Sequence, residues 1–185
     1  LSLNNAKFIH NYLKAEGDVI VGGISIVENE KRWGNNLRYR YEHSSKEAIS
    51  AENRRKTPYQ HLSTNFIANR KLIGTNPYNE DIKQYGFEDV LLGKRFKALN
   101  AKINHIDNPV LFNDFELNAV FLCKTEEALR TLSIFQTELK GYSNLLKITG
   151  KLQKMHISWI GVWLYKFLHK PLKHNLKGNN PSVFL

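Results

Sequence analysis

Two adjacent carboxylates, Glu88 and Asp89, stand at the start of an amphipathic stretch and have the residue types that acid–base chemistry needs. Neighbouring residues of a helix project about 100° apart, so this pair cannot flank a scissile bond as the two carboxylates of a glycosidase do. One carboxylate can instead face a pocket, and Gly86 permits a tight bend just before it. A helix N-terminus favours the ionised form that a general base needs. Two interpretations remain open at this point: a general base, or a pair of acids that only caps the helix.

The histidines and the single cysteine show no pattern typical of a metal site or of a catalytic nucleophile. His10, His43 and His61 show no metal-ligand spacing with each other or with Cys123. Cys123 has no evident partner base, so we expect a small buried hydrophobic residue and not a nucleophile. His105 lies in a predicted strand, where we expect a structural hydrogen bond.

Two further sites are open to a binding interpretation. Gly22 and Gly23 match neither a phosphate-binding loop nor a dinucleotide-binding loop, and we expect them to let a substrate or another backbone approach the strand. The basic run 53–56 is interpreted as a solvated loop, with contact to a diphosphate as the alternative.

The elements that would position these residues alternate between helix and strand, as in an α/β domain. β-branched and apolar runs predict one buried strand over 18–27, a short strand and short helix within 62–74, and a strand over 101–110 that Pro109 ends or places at an edge. Apolar residues spaced by three and four predict helices over 4–15, 46–54, 85–100, 117–142 and 143–170. The polar stretch 28–59 is otherwise predicted to run over the surface.

The positive charge is concentrated in the C-terminal part of the chain. The net charge is +10, no Asp or Glu follows Glu138, and eight lysines do: Lys140, Lys147, Lys151, Lys154, Lys166, Lys170, Lys173 and Lys177. Without them the first 138 positions hold 19 basic and 17 acidic residues. This asymmetry predicts a nearly neutral domain over 1–138 and a basic amphipathic helical tail over 139–185.

Length and composition exclude several classes of protein. A chain of 185 residues with 42% hydrophobic residues suits one domain with a sizeable core. A single cysteine excludes an intramolecular disulfide framework and indicates a reducing compartment. The opening LSLNNAKF does not have the pattern of a signal peptide, and no run of about 18 apolar residues predicts a membrane span. We expect the chain to begin inside a longer protein.

Several motifs follow one another in the order seen in family 2 glycosyltransferases of the GT-A fold, and over roughly residues 1–135 the chain resembles the C-terminal half of that family. The motifs are DVIVGGISI at 18–26, STNFIANR at 63–70, YGFEDVLLGKRF at 85–96, INHIDNPV at 103–110 and FLCKTEEALRTL at 121–132. The resemblance implies an incomplete GT-A fold, that is, a mixed sheet with flanking helices, followed by a C-terminal helical extension.

The same resemblance implies a reaction and a set of residues. A sugar would pass with inversion from a nucleotide-diphospho-sugar donor to a hydroxyl of a glycan or lipid-linked acceptor, in polysaccharide or glycoconjugate synthesis. Asp89 would be the general base, and Glu88 would orient the base or an acceptor hydroxyl. Tyr85 and Gly86 would shape the acceptor wall, and Asn65 would face the same cleft. The glycine pair 22–23 would lie near the donor.

The chain also departs from the family pattern. The Asp-x-Asp motif that holds the donor diphosphate through Mg²⁺ or Mn²⁺ does not occur in it, and Phe112 stands where many relatives have a further His ligand. We therefore expect a divalent metal in the intact enzyme, with ligands that this chain does not identify, and poor binding of a nucleotide sugar by this chain alone. Strands left without their upstream neighbours would present sticky edges, which predicts a homo-oligomer.

The basic tail allows two interpretations. Its apolar face can pack on the catalytic domain as a helical cap, or residues 139–178 can lie in an anionic membrane interface, which would suit a lipid-linked acceptor. The second interpretation predicts a cytoplasmic protein that is peripheral at the inner face of the membrane. The alternative function is a non-enzymatic basic module that binds an anionic membrane or RNA. Nucleic acid is the less favoured partner, because the chain lacks aromatic RNA-binding strand motifs and Arg-rich readout.

Overall fold

The structure is a computed structural model that describes residues 1–3, 5–47, 49–62, 65–74, 76–179 and 181. This part of the chain is mixed α/β, with 50% of residues in helices and 9% in strands. The helices are α1 (Phe8–Lys14), α2 (Glu30–Trp33), α3 (Leu37–Ser44), α4 (Ala51–Lys56), α5 (Arg70–Ile73), α6 (Glu88–Ala98), α7 (Asn118–Ile134), α8 (Asn144–Lys154) and α9 (Ser158–Lys177). The strands are β1 (Val19–Val21), β2 (Ile24–Ile26), β3 (Phe66–Ala68), β4 (Ile103–His105) and β5 (Val110–Phe112).

The strands form two small sheets. In the first, β1 lies between β3, which is antiparallel to it, and β4, which is parallel; in the second, β2 pairs in parallel with β5. The chain therefore passes from one sheet to the other three times, between β1 and β2, between β2 and β3, and between β4 and β5.

The predicted single strand over 18–27 is wrong, because the chain turns at Gly22 and Gly23. Gly23 has a φ of 81°, in the region that favours glycine, and the pair separates β1 from β2. The predicted strand over 101–110 also divides: β4 ends at His105, and Pro109 comes just before β5. Pro109 thus separates two strands and does not end one long strand.

The main hydrophobic core lies between the first sheet and α6. Val19 and Val21 of β1 and Phe96 of α6 are 0% exposed, and Leu62 and Leu92 pack with them. This explains why the strand is β-branched and apolar on both faces, since both faces of β1 are covered. Two smaller clusters hold β2 and α3 against the loop before α7, and α3 against α7 and the end of α9.

Helix α6 carries the two carboxylates at its start. It begins at Glu88 because Gly86 and Phe87 both have left-handed backbones, with φ of 108° and 68°. Glu88 and Asp89 occupy the first turn and Arg95 and Lys97 the last, so charge complements the helix dipole at both ends. The predicted helix over 85–100 is thereby confirmed in its central part.

The other helix predictions have mixed outcomes. The strand and helix expected within 62–74 are present as β3 and α5, and the helix over 4–15 is present as α1; Asn4, Ser63 and Thr64 lie outside the described residues. The helix over 46–54 is displaced to α4, and Ala48 lies outside the described residues. The stretch 28–59 holds α2 and α3 as well, and α3 buries Leu37 and Tyr39.

The two long C-terminal predictions are also corrected. The helix over 117–142 ends at Ile134, and the helix over 143–170 is in fact two helices. The break between α8 and α9 falls at His156, whose φ of 57° is left-handed. Throughout the described ranges, every helix is too short or too polar to cross a membrane.

Candidate functional site

The turn over residues 85–89, called the acidic turn below, is anchored on α7. The Tyr85 carbonyl accepts a hydrogen bond from Thr131 Oγ1 at 3.0 Å. Gly86 lies so close to α7 that a Cβ atom there would be 2.7 Å from the Ala128 Cβ. Glu88 Oε1 accepts a hydrogen bond from the Gly86 backbone N–H at 3.0 Å. Glu88 therefore stabilises the turn, and Gly86 packs against a neighbouring helix.

Asp89 is exposed in the first turn of α6. Its side chain reaches solvent, yet burial by surrounding protein raises the pKa of its carboxyl above the ordinary value, and the charge of Glu88 adds to the increase. A hydrogen bond of 2.8 Å from the Val90 N–H to Asp89 Oδ1 acts in the opposite direction. A carboxylate that is reachable but incompletely hydrated is a better proton acceptor than one on a convex surface.

Two tyrosines and one histidine lie near enough to this carboxylate for its charge to affect their pKa values. Burial raises the pKa of the Tyr41 and Tyr78 phenols, and the charge of Asp89 contributes to the increase in both. Burial lowers the pKa of His61, and the negative charge of Asp89 opposes that effect. Both tyrosines are exposed, so their rings are available to a ligand that binds at Asp89.

Arg38 is a residue of this site that the sequence analysis missed. Its Nη1 donates to the Tyr85 hydroxyl at 3.4 Å, and its Nη2 pairs with Glu42 Oε1 at 2.5 Å. Lys124 Nζ lies 5.6 Å from the centre of the Tyr85 ring. The Tyr85 side chain thus stands between two cations. The i,i+4 spacing of Arg38 and Glu42 favours a helix here. The polar composition of residues 28–59 instead predicts a surface loop, so the sequence does not single out Arg38.

The remaining predicted site residues gather elsewhere, around a buried group called the polar hub below: Arg54, Asn65, His105 and Asn108. Asn65 Oδ1 accepts a 2.6 Å hydrogen bond from the Tyr12 hydroxyl, and Asn65 Nδ2 donates to the carbonyls of Gly23 and Asn108 at 2.7 and 2.9 Å. The structure therefore places Asn65 inside the protein, where it joins α1 to the strand ends.

Gly22 and Gly23 are needed because this hub passes close over them. A Cβ on Gly22 would lie 2.5 Å from the Asn108 carbonyl oxygen, and one on Gly23 would lie 2.5 Å from Arg54 Cζ. The expected close approach to the strand is present, and a backbone carbonyl and a side chain of the chain itself make it.

Arg54 is the centre of the hub and is only 3% exposed, which corrects the expectation of a solvated loop at this position. Its Nε donates to His105 Nδ1 at 3.1 Å, its Nη2 donates to the carbonyls of Gly22 and Ile106, and its Nη1 donates to the carbonyl of Ile49. Burial lowers the pKa of Arg54. The expectation of a structural His105 is confirmed: it is 1% exposed and its Nε2 donates to the Pro58 carbonyl at 2.9 Å.

A cavity of about 370 Å³ lies beside β2 and the hub. Its lining includes Ser25, Glu28, Lys46, Arg54 and Asp107. Lys46 Nζ is already paired with Glu28 Oε1 at 3.0 Å. Ile24, the residue after Gly23, also lines the cavity, so the cavity lies next to the glycine pair for which the resemblance implies proximity to the donor.

Within the ranges that the structure describes, no cluster of three His, Cys, Asp or Glu side chains is arranged to hold a metal ion. Cys123, expected to be buried, is exposed. No known protein family, curated protein or solved structure was found to match this chain.

Proposed function

We propose that the chain is the acceptor-side portion of an inverting glycosyltransferase of the family 2, GT-A type. It would transfer a sugar from a nucleotide-diphospho-sugar donor to a hydroxyl of a glycan or lipid-linked acceptor, in polysaccharide or glycoconjugate synthesis. The observation that supports this most is the Asp89 carboxylate, which is exposed at a helix N-terminus and has a raised pKa. The ordered motifs of the sequence supply the reaction class.

In this proposal Asp89 is the general base. A sugar hydroxyl attacks the anomeric carbon of the donor, the bond from that carbon to the diphosphate oxygen breaks, and the nucleoside diphosphate leaves with the bonding electrons. The hydroxyl proton passes to Asp89 as the new glycosidic bond forms. A raised pKa strengthens the base, and the N-terminal position on α6 keeps the ionised form accessible.

The surrounding residues take supporting roles. Glu88 holds the turn that presents Asp89, through its hydrogen bond to Gly86 N–H. The exposed rings of Tyr41, Tyr78 and Tyr85 form the acceptor wall, because flat aromatic faces suit the apolar faces of sugar rings. Asn65 contributes by fixing the Gly22–Gly23 junction and not by contact with substrate.

The donor would approach from the side of the 370 Å³ cavity, near Gly22 and Gly23. A divalent cation, Mg²⁺ or Mn²⁺, would neutralise the diphosphate in the intact enzyme. The donor set for such an ion is not found among the described residues, so no step above is assigned to it. We place the reaction in the cytoplasm at the inner face of the membrane, and the homo-oligomer expected from open strand edges remains part of the proposal.

The test is an Asp89→Asn variant of the full-length protein, with release of nucleoside diphosphate from a panel of nucleotide-sugars as the measurement. We expect kcat to fall by about 10²- to 10⁴-fold, since a positioned general base contributes that much. Asp114→Asn, an exposed acid outside the acidic turn, is the matched control and should keep full activity. Near-normal turnover by Asp89→Asn would reject the assignment.

A further inference from the structure

Helices α8 and α9, called the C-terminal helix pair below, leave most of their apolar surface uncovered. Trp159, Trp163 and Phe167 of α9 are 67%, 54% and 65% exposed. They are spaced by four residues, so they form one line along the helix, called the aromatic stripe below, and the rings of Trp163 and Phe167 are in contact at 4.9 Å between centroids. An apolar surface of this kind in a folded protein marks an interaction site.

The stripe faces away from the body of the protein. The other side of α9 is the packed one: Leu176 is buried against Leu37 and α7, and Lys173 pairs with Glu126 of α7. Leu164, Leu168 and Leu172 line a groove of about 610 Å³ between α7 and α9. The helical period places the stripe roughly opposite that packed side, so the stripe is presented outward.

Lysines flank the stripe on the same outward side. Lys166 and Lys170 are exposed, and by helical spacing they lie beside Trp163 and Phe167. Helix α8 repeats the arrangement, with exposed Leu145, Ile148 and Met155 on one line and three lysines next to it: Lys147, Lys151 and Lys154. Neither helix contains an acidic residue.

We infer that the C-terminal helix pair docks in the plane of a membrane whose surface carries anionic phospholipids. Tryptophan and phenylalanine would enter the boundary between headgroups and acyl chains, and the lysines would meet lipid phosphates. The charge decides between this occupant and a second copy of the chain, because pairing two identical faces would bring lysines against lysines with no carboxylate to compensate them. The inference rests on a surface separate from the acidic turn and does not depend on the proposed reaction.

The first experiment is co-sedimentation of the full chain with phosphatidylcholine vesicles that do or do not contain phosphatidylglycerol. We expect binding only to the anionic vesicles, weakening as salt is raised. Two of the three tryptophans lie on the stripe, so binding should shift Trp fluorescence to the blue, and a Trp33→Phe variant should keep the shift.

Two sets of variants separate the apolar and the electrostatic contributions. Trp159→Ser with Trp163→Ser should abolish binding, while Ile9→Ser with Leu13→Ser, exposed on α1, should leave it unchanged. Lys166→Glu with Lys170→Glu should weaken binding at least about 25-fold, because each lysine near an anionic leaflet contributes roughly fivefold. Lys31→Glu with Lys97→Glu is the control of equal charge change.

Four results would contradict membrane docking by this surface. Failure to bind anionic vesicles at low salt overturns it, as does equal loss of binding in the control variants. A dimer that protects the stripe, or binding of single-stranded RNA without binding of vesicles, would assign the surface to another partner. An Asp89→Asn variant should bind vesicles like the unaltered chain, so failure of the proposed reaction would not remove membrane binding.

Discussion

The acidic turn and the polar hub are both rich in polar groups near strand and helix ends, and they use those groups in opposite ways. In the hub, Arg54 and Asn65 are buried and donate to carbonyls and to His105. In the acidic turn, Asp89 reaches solvent, and the hydrogen bond assigned to its carboxylate comes from the neighbouring backbone N–H of Val90. The hydrogen bonds of the polar hub stabilise the fold, whereas the acidic turn leaves a carboxylate accessible to a ligand.

Burial and hydrogen bonding together distinguish structural from functional polar residues in these two regions. Burial of a polar group is costly unless a partner satisfies it, so an extensively bonded cluster indicates a role in stability. A titratable group that is partly desolvated and still accessible has a shifted pKa, which is typical of groups that take part in proton transfer. Substitutions in the hub should therefore act on stability, and substitutions in the acidic turn on activity.

The largest expected effect is on stability, from Arg54→Met. The substitution leaves the carbonyls of Gly22, Ile49 and Ile106 and the Nδ1 of His105 without the donor that now serves them, which should cost about 3 to 5 kcal/mol. Urea unfolding followed by circular dichroism is the measurement. Arg55→Met, at an exposed neighbour, should cost less than about 1 kcal/mol. Equal losses in the two variants would contradict the assignment of Arg54 to the hub.

Asn65→Ala should have the next largest effect. It removes the side-chain acceptor of the Tyr12 hydroxyl, which keeps the Asn65 backbone carbonyl, and it removes the donor to the carbonyls of Gly23 and Asn108, for a loss of about 2 to 3 kcal/mol in the free energy of unfolding. The midpoint of urea unfolding gives the change. If the variant keeps full stability and loses acceptor binding, Asn65 is a substrate-contacting residue, as the sequence resemblance implies.

Acid should weaken the hub through His105. Burial lowers the pKa of this imidazole below its ordinary value, so the folded state favours the neutral form. Stability from this residue is therefore complete above pH of about 6.5 and falls as the pH decreases towards the folded-state pKa. A protonated Nδ1 can no longer accept the hydrogen bond from Arg54, which should lower the free energy of unfolding by about 1 kcal/mol or more.

The measurement is the free energy of unfolding against pH, in the Asp89→Asn background so that the Asp89 carboxyl does not contribute. An NMR titration of His105 at its ordinary pKa would contradict the prediction.

The smallest effect, with the opposite sign, belongs to Asp89→Asn. Because burial raises the pKa of this carboxyl, the folded state favours its protonated form, and ionisation at neutral pH costs stability. Asn should therefore stabilise the fold by a few tenths of a kcal/mol, a modest figure because the side chain is open to solvent. Thermal unfolding at pH 7 and at pH 3 tests this, with the gain expected only at pH 7. A loss above about 1 kcal/mol would make Asp89 structural.

The sequence predicted the elements that have one strong periodic pattern. Helix α6 is predicted because its apolar spacing and its terminal charges agree. The strand β3 and the helix α5 are predicted because a short strand pattern runs into a short helical pattern that closes at Gly74. The division of residues 18–27 between two sheets was missed, because both halves are β-branched and a strand pattern does not reveal which partner each half pairs with. The break at His156 was missed because apolar spacing continues across it and a left-handed non-glycine residue leaves no sequence signal.

The candidate site was predicted in part for similar reasons. Tyr85, Gly86, Glu88 and Asp89 lie together because they are adjacent in sequence. Arg38 and Tyr41 are some 45 residues away, and only the packing of α3 against α7 brings Arg38 to Tyr85. The family resemblance placed Asn65 at the acceptor cleft and Gly22 near the donor, but short polar or small residues beside a strand can serve a cleft or a core. Only their hydrogen bonds and close contacts distinguish the two.

The attachment of α4 has a consequence for how the protein comes apart. Arg54 binds the imidazole of His105 at the end of β4, and Arg55 binds the backbone carbonyl of the same residue, so His105 joins this short helix to the sheet at two points. Mild acid should release this segment before the rest of the molecule unfolds. Its exposed basic side chains would then make residues 55–56 the first place where a protease specific for Arg and Lys cuts, and the rate of that cleavage would report local opening at the rim of the 370 Å³ cavity.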